Sequence, residues 1–191
     1  MQKDYLEILV EEKTMEVFLK GVLPKILPDG FTLDENCLIR PHNGKHELKK
    51  MLPKIVRAYN NYPYPVKALI IQDQDSSDCL DLKNSLVDLV KEHNPNLNFL
   101  VRIACRELEN WYLGDLPAVE SIYPESRASK LIKKAKYRNP DRVNGSEEMY
   151  RFSKNFAKVS CARKISTVIS IDNNTSPSFQ QFCSGLKRLL N

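Results

Sequence analysis

The chain has 191 residues, 42% apolar and 28% charged, which suits one well-filled core and is too short for two comfortable domains. Only 6 are glycine, which excludes a collagen-like or glycine-rich disordered chain. The formal net charge of +5 is uneven: residues 1–125 hold 15 Lys and Arg against 20 Asp and Glu, residues 126–164 hold 12 against 3, and residues 165–191 hold 2 against 1.

The opening MQKDYLEILVEEK is charged too early for a signal-peptide core, and no stretch reaches the ~18 apolar residues of a membrane span. No membrane association is expected. Cys37, Cys79, Cys105, Cys161 and Cys183 are odd in number, widely spaced and without a C-x-x-C pair. That argues against a disulfide framework or zinc finger, and for buried free thiols in a reducing cytoplasm.

Residues 5–10 (YLEILV) read as a short apolar strand. Residues 14–27 follow at helical spacing, with Thr14 placed to cap the helix and Pro24 to shorten or kink it. Residues 31–40 are expected as a second strand, and 45–59 as a basic amphipathic helix interrupted near Pro53. Residues 66–72 (VKALIIQ) form a nearly continuous apolar run, as a strand buried on both faces requires. A helix over 78–92, a strand over 99–104, and helices over 107–113 and 115–122 complete an alternation of strand and helix. This predicts an α/β fold with a mostly parallel sheet of about four strands flanked by helices. Beyond Pro124 the texture becomes helical and basic: helices are expected over 126–136, 147–157, 161–171 and 178–190, with a loop over 138–145 and a break at 173–177. The expected organisation is one domain over 1–191. Its α/β core is 1–123 and its basic helical extension, packed on that core, is 124–191.

Sites in open α/β sheets gather beyond the carboxyl ends of the strands. Here the first strand ends in Glu11-Glu12, the third in Asp73-Gln74-Asp75 with Asp78 just beyond, and the fourth is followed by Glu107 and Glu109. Crowded carboxylates raise one another's pKa and repel unless a cation neutralises them. Oxygen-only ligands select a hard divalent ion, Mg²⁺ or Mn²⁺. Each acid also has a plain structural reading: Asp75 or Asp78 caps the next helix, Glu16 sits favourably in a helix's first turn, and Glu12 is a solvated neighbour.

In the basic stretch, Arg127, Lys130, Lys133, Lys134 and Lys136 recur at spacings of three and four. On one helical face they would meet phosphates of a nucleic acid, with Tyr137 and Tyr150 available to stack on bases. A solvated helix face is the rival reading. His42 and His46 are four apart, but PHNGK reads as a turn and zinc is not expected; Lys45 there is able to meet a phosphate. Trp111 and Tyr112 read as core. No P-loop, dinucleotide-binding glycine pattern, nucleophile elbow or Cys/His dyad is present.

The order of a glutamate after strand one, Asp-x-Asp after a later strand, then further acids resembles the TOPRIM domain of topoisomerases, primases and OLD-type nucleases. More closely, VEEKTMEVFL (10–19), HNGKHELKK (42–50), IIQDQDSSDC (70–79), RELENWYLGD (106–115) and SPSFQQF (176–182) resemble the bacterial family numbered 4276 among domains of unknown function, over nearly the whole chain. The resemblance implies a Mg²⁺-dependent nuclease in a phage-defence or restriction-type system, with an ATPase partner. Matched by position, Glu11 takes the TOPRIM glutamate's role as metal ligand or general acid/base. Asp73 and Asp75 match the Asp-x-Asp ligands, and Glu107 or Glu109, the latter favoured, completes a second metal position. OLD-type enzymes use a late lysine: Lys158 is the candidate, to neutralise transition-state charge, and Arg163 the fallback. Two features depart from the pattern. Glu11-Glu12 stands where TOPRIM domains have Glu-Gly, and Gln72 interrupts the apolar approach to Asp73. A non-catalytic scaffold binding an ATPase or nucleic acid, and a metal-dependent phosphotransfer enzyme acting on a small nucleotide, are the alternatives.

Overall fold

The apolar runs near residues 5 and 66 form the middle of a sheet because nearly every residue in them has somewhere dry to go. In the computed structural model, which describes residues 4–191, β1 is Tyr5–Val10, β2 Cys37–Pro41, β3 Val66–Asp73 and β4 Asn98–Ala104. All pairings are parallel and the strand order is β2-β1-β3-β4. The order reverses between β1 and β3, and that reversal opens the crevice in which sheets of this kind hold their ligands.

Alternation along the strands sends side chains to two cores. Leu9, Ala68, Ile70, Val101 and Ile103 face Leu48, Leu52 and Val56 of α2 (Lys45–Ala58) and Leu82, Leu86 and Val90 of α3 (Cys79–His93). Leu6, Ile8, Val10, Leu69 and Ile71 face the other helices. These are α1 (Lys13–Val22), α4 (Glu109–Leu113), α5 (Leu116–Ile122), α6 (Gly145–Phe152), α7 (Lys158–Val168) and α8 (Pro177–Leu190). The fold is therefore α/β: an all-parallel four-stranded sheet between two helical layers, with a helical C-terminal part. Residues of that part, such as Met149, Ile165 and Phe179, share one core with Phe18 and Val10.

Several expected boundaries move, each for a local reason. The first helix ends at Val22 and passes into a 3₁₀ turn at Leu23–Lys25, where Pro24 stands. Its N-cap position is Glu12 rather than Thr14, which is buried in the first turn. The second strand begins only at Cys37, because the preceding residues fold into a loop. Asp34 adopts φ +63°, and the Asn36 side chain takes the Thr32 N–H and donates to the carbonyls of Asp4 and Gly30. Pro53 does not interrupt α2; Lys49, whose carbonyl loses that donor, is exposed to water. The helix expected over 147–157 runs from Gly145 to Phe152, and the loop over 138–145 contains a 3₁₀ turn at Pro140–Arg142. The expected helix over 126–136 does not form. It is replaced by 3₁₀ turns at Ala128–Leu131 and Ala135–Tyr137, entered through Arg127 at φ +46° and separated by extended backbone at Lys134.

Trp111 is the keystone of the larger core. It is fully buried, its ring stacks on Phe182 with centroids 5.1 Å apart, and its edge meets Phe179. Its Nε1–H donates to Ser178 Oγ at 2.8 Å, and its carbonyl accepts from Asn174 Nδ2 at 2.8 Å. Among the described residues no helix is long and apolar enough to cross a membrane, and all five cysteines are free thiols.

Truncating this ring leaves a large cavity and removes one of the hydrogen bonds to the Ser178 hydroxyl. Trp111→Ala is expected to cost about 3–5 kcal/mol, read as a lowered urea midpoint. A loss below about 1 kcal/mol would show that α8 holds its place without the indole.

Candidate functional site

The alternation that places Leu69 and Ile71 toward α1 and α4 also places Asp73 there. β1 stops one residue short of Glu11, so Glu11 leaves the sheet beside it. The Asp73 N–H donates to Glu11 Oε2 at 3.3 Å, and Asp73 Oδ2 accepts from the Leu108 N–H at 3.3 Å. Asp73 Oδ1 is buried with no hydrogen-bond partner. Glu109, at the start of α4, is buried, and its Oε1 is likewise without a hydrogen bond. A cation is placed near it: Lys158, at the start of α7, whose Nζ lies 3.7 Å from Glu109 Oε1.

Burial, then the charges of Glu109 and Glu11, hold the Asp73 carboxyl well above the usual carboxylate range. Burial also raises Glu109, with the Lys158 charge opposing it. Glu11 is raised by burial and by Asp75. Burial alone would lower Lys158, but the surrounding carboxylates, Glu109 first, outweigh it and raise its pKa. The fold thus gathers Glu11, Asp73, Glu109 and Lys158 from three strand ends and a distant helix.

The other predicted acids have different fates. Asp75 does not follow Asp73 inward: its φ of +52° turns the chain, and its exposed carboxylate pairs with Lys45 Nζ at 2.8 Å. Lys45 reaches it because Gly44, at φ +93°, lets its own N–H donate to the Glu11 carbonyl at 2.9 Å, pinning the start of α2 to the rim. Glu107 is spent on structure, accepting from the Ser146 N–H at 2.8 Å and Ser146 Oγ at 2.5 Å in the first turn of α6. Gly145 makes that approach possible, since a Cβ there would lie 2.9 Å from the Glu109 Cβ. Asp78 caps α3, accepting from the N–H groups of Leu80 and Asp81. Glu16 pairs along its own helix with Lys13 and Lys20. His42 Nδ1 contacts the Val10 carbonyl at 3.0 Å and His46 is exposed.

The basic segment is not the single cationic face its spacing predicts. Without a helix, Arg127, Lys130, Lys133 and Lys134 are exposed on separate turns. Lys136 pairs with buried Glu148, and Tyr137 is buried with its hydroxyl on the same carboxylate at 2.5 Å, so it is closed to base stacking. Tyr150 remains exposed, edge-on to Phe156. Arg163 is exposed on α7, on a different face from Lys158. Spacing missed two cations at the rim, Arg106 and Arg142, which line a cleft beside Asp75. Position just after β4 marks Arg106, whereas Arg142 arrives from a distant loop tied down by Asn110 Nδ2, which donates to the carbonyls of Pro140 and Val143.

Chemically, the cluster is an all-oxygen donor set with two unsatisfied carboxylate oxygens and a lysine in reach. A hard divalent ion fits such donors. Among the described residues, no three Asp, Glu, His or Cys side chains are gathered into a preformed ligand shell. The model of one protein family, described as domain of unknown function (DUF4276), matches residues 10–187. No curated protein and no solved structure matches the chain.

Two outcomes follow from these environments. In chelator, Asp73→Asn removes a carboxyl whose ionised form is disfavoured by burial and by the Glu109 and Glu11 charges. The urea midpoint should rise, by about 1 kcal/mol of stability; an unchanged or lower midpoint contradicts the repulsion. At Glu148, burial raises the carboxyl, but hydrogen bonds from Lys136 and Tyr137 and the Lys136 and Arg151 charges outweigh it and hold it below 4.5. Its stabilisation is therefore complete above pH 4.5 and lost as pH falls through the lowered folded value. Denaturation midpoints from neutral to acid pH should fall less steeply in Glu148→Gln than in the wild type; parallel curves would contradict this.

Proposed function

Taking as premise that the chain belongs to the family described as domain of unknown function (DUF4276), we propose that it is a TOPRIM-like nuclease dependent on Mg²⁺ or Mn²⁺. The observation that carries the reading is the pair of buried carboxylate oxygens, Asp73 Oδ1 and Glu109 Oε1, left without hydrogen bonds at the crevice between β1 and β3. Leaving a buried carboxylate oxygen unsatisfied is costly, and a bound ion is one partner that would relieve the cost. Asp73, Glu109 and Glu11 would hold the ion. Bound there, it would supply a water of lowered pKa and positive charge for the leaving oxygen of a phosphodiester.

The chain's own residues have distinct tasks. Lys158, already drawn toward buried Glu109, would place a positive charge beside the phosphoryl oxygens. Glu11 is positioned by the Asp73 N–H and holds a proton more readily than an ordinary glutamate, which suits proton transfer to or from a reacting oxygen. Lys45 shields Asp75 and narrows the approach from the side of α2. An ATPase partner is proposed from the family resemblance alone.

A second reading, a scaffold that binds nucleic acid or an ATPase without cutting, is favoured by one feature: Asp75 is neutralised by Lys45 rather than left open.

The test is cleavage of labelled single- and double-stranded DNA and RNA by purified protein with Mg²⁺ or Mn²⁺, beside calorimetric titration of the ion. The wild type should cut and bind the ion. Asp73→Ala and Glu109→Gln should abolish ion binding and lower the rate by about 10²–10³, and Lys158→Ala should lower the rate with ion binding retained. Ion binding unaffected by Asp73→Ala, or no cleavage with any substrate in the presence or absence of the ATPase, overturns the reading.

A further inference from the structure

Beside the carboxylate cluster, a cleft of about 740 Å³ opens between the loop after β3, the loop after β4, the 3₁₀ turn at Pro140–Arg142 and the start of α8. Its charged groups are two carboxylates and two guanidiniums, which differ in how they are partnered. Its two carboxylates are engaged: Asp75 by Lys45, and Asp141 by Ser176 Oγ at 2.6 Å and the Ser178 N–H at 2.7 Å. Its two guanidiniums, Arg106 and Arg142, have no carboxylate partner and no side-chain hydrogen bond among the described residues. Asn139, also on the wall, has its Oδ1 buried without a partner. The N–H groups of both guanidiniums are therefore open to an anion that accepts from them.

The floor is also built rather than loose. Asp75 and Arg106 both hold left-handed backbone, at φ +52° and +61°. Such non-glycine residues are costly and persist where their surroundings determine them. Here the determinants are visible: the Asp75 N–H donates to the Arg106 carbonyl at 2.8 Å, and the Arg106 N–H donates to Gln74 Oε1 at 3.0 Å. The two loops are stitched together, which fixes Arg106 on the cleft wall whether or not a ligand is present.

We propose that this cleft binds backbone phosphates of a nucleic-acid strand flanking the one to be cut, through Arg106 and Arg142 and not through the basic turns at 127–134. The assignment rests on the nuclease reading for the identity of its ligand, while the cleft itself is independent of the ion. Guanidiniums suit phosphate through paired N–H groups, and each phosphate contact contributes to the salt dependence of binding.

The experiment is fluorescence anisotropy of a labelled single-stranded oligonucleotide in chelator, so that binding is read without cleavage. It compares the wild type, the double variant Arg106→Gln/Arg142→Gln and the surface double variant Lys130→Gln/Lys134→Gln over a range of salt. The cleft variant should bind about tenfold more weakly, with a salt slope shallower by about 1.4, and the surface variant should change little. Denaturation midpoints confirm folding, and Arg142→Gln alone keeps the test open if the double variant is unstable. Binding equal to wild type in the cleft variant, an equal loss in the surface variant, displacement by micromolar AMP, or no binding by the wild type overturns the inference. Cleavage with Mg²⁺ separates the two claims. Oligonucleotide binding lost in the cleft variant, with no cleavage by the wild type, removes the nuclease and leaves the cleft. Cleavage that depends on Asp73, with unchanged binding in the cleft variant, removes the cleft alone.

Discussion

Two carboxylates that lack partners for part of their charge, buried together at the mouth of a parallel sheet, set the terms for the rest of the molecule. An unsatisfied buried acceptor costs on the order of 1–3 kcal/mol, and more when charged. Asp73 and Glu109 add mutual repulsion to that cost. A domain holds such a pair only if packing elsewhere is strong enough to keep water out and the backbone still. The larger core supplies this by seating α4 through Trp111, wedged against Phe179 and Phe182 and bonded to Ser178. Glu109 lies two residues from that anchor and has little freedom to swing to water.

The segments that carry the family resemblance acquire a physical meaning from this arrangement. RELENWYLGD and SPSFQQF, some 70 residues apart in the chain, are the two halves of one joint. Ser178 accepts from the indole, Ser176 and Asn174 organise the turn before α8, and Glu107 fastens the first turn of α6. Most of these polar residues build the scaffold. The residues left for chemistry are the few whose oxygens or cations the scaffold leaves unsatisfied.

The charge asymmetry of the sequence divides in a similar way. Part of the acidic excess is structural: Asp78 and Asp115 cap helices, Glu107 ties down another, and Glu7 makes a bidentate pair with Arg40. Part of the basic excess neutralises buried carboxylates, as Lys136 and Arg151 do for Glu148 and Lys158 does for Glu109. Other cations of the basic stretch, Arg127, Lys130, Lys133 and Lys134 among them, stay exposed, while Arg142 joins Arg106 in the cleft adjoining the crevice carboxylates.

The sequence by itself determined the strands and the acids at their ends, because both are local. A strand buried on two faces must be a continuous apolar run, as at 66–72, and a carboxylate can follow only where the strand leaves the core, as Glu11 and Asp73 do. Alternation even specifies the face to which Asp73 turns. Choosing between Glu107 and Glu109, separating Asp75 from Asp73, and bringing in Lys158, Arg106 and Arg142 belonged to the tertiary structure. Glu107 is consumed by a serine 39 residues away, Asp75 is turned outward by left-handed backbone, and Arg142 is set at the rim by a loop fastened to Asn110. The stretch 126–136 shows the same limit in reverse. Its charge spacing suits a helix, yet burial of Ala128 and Tyr137 against other elements requires tight turns. Periodicity reports which face of an element is dry, whereas long-range packing decides which polar groups are already spent.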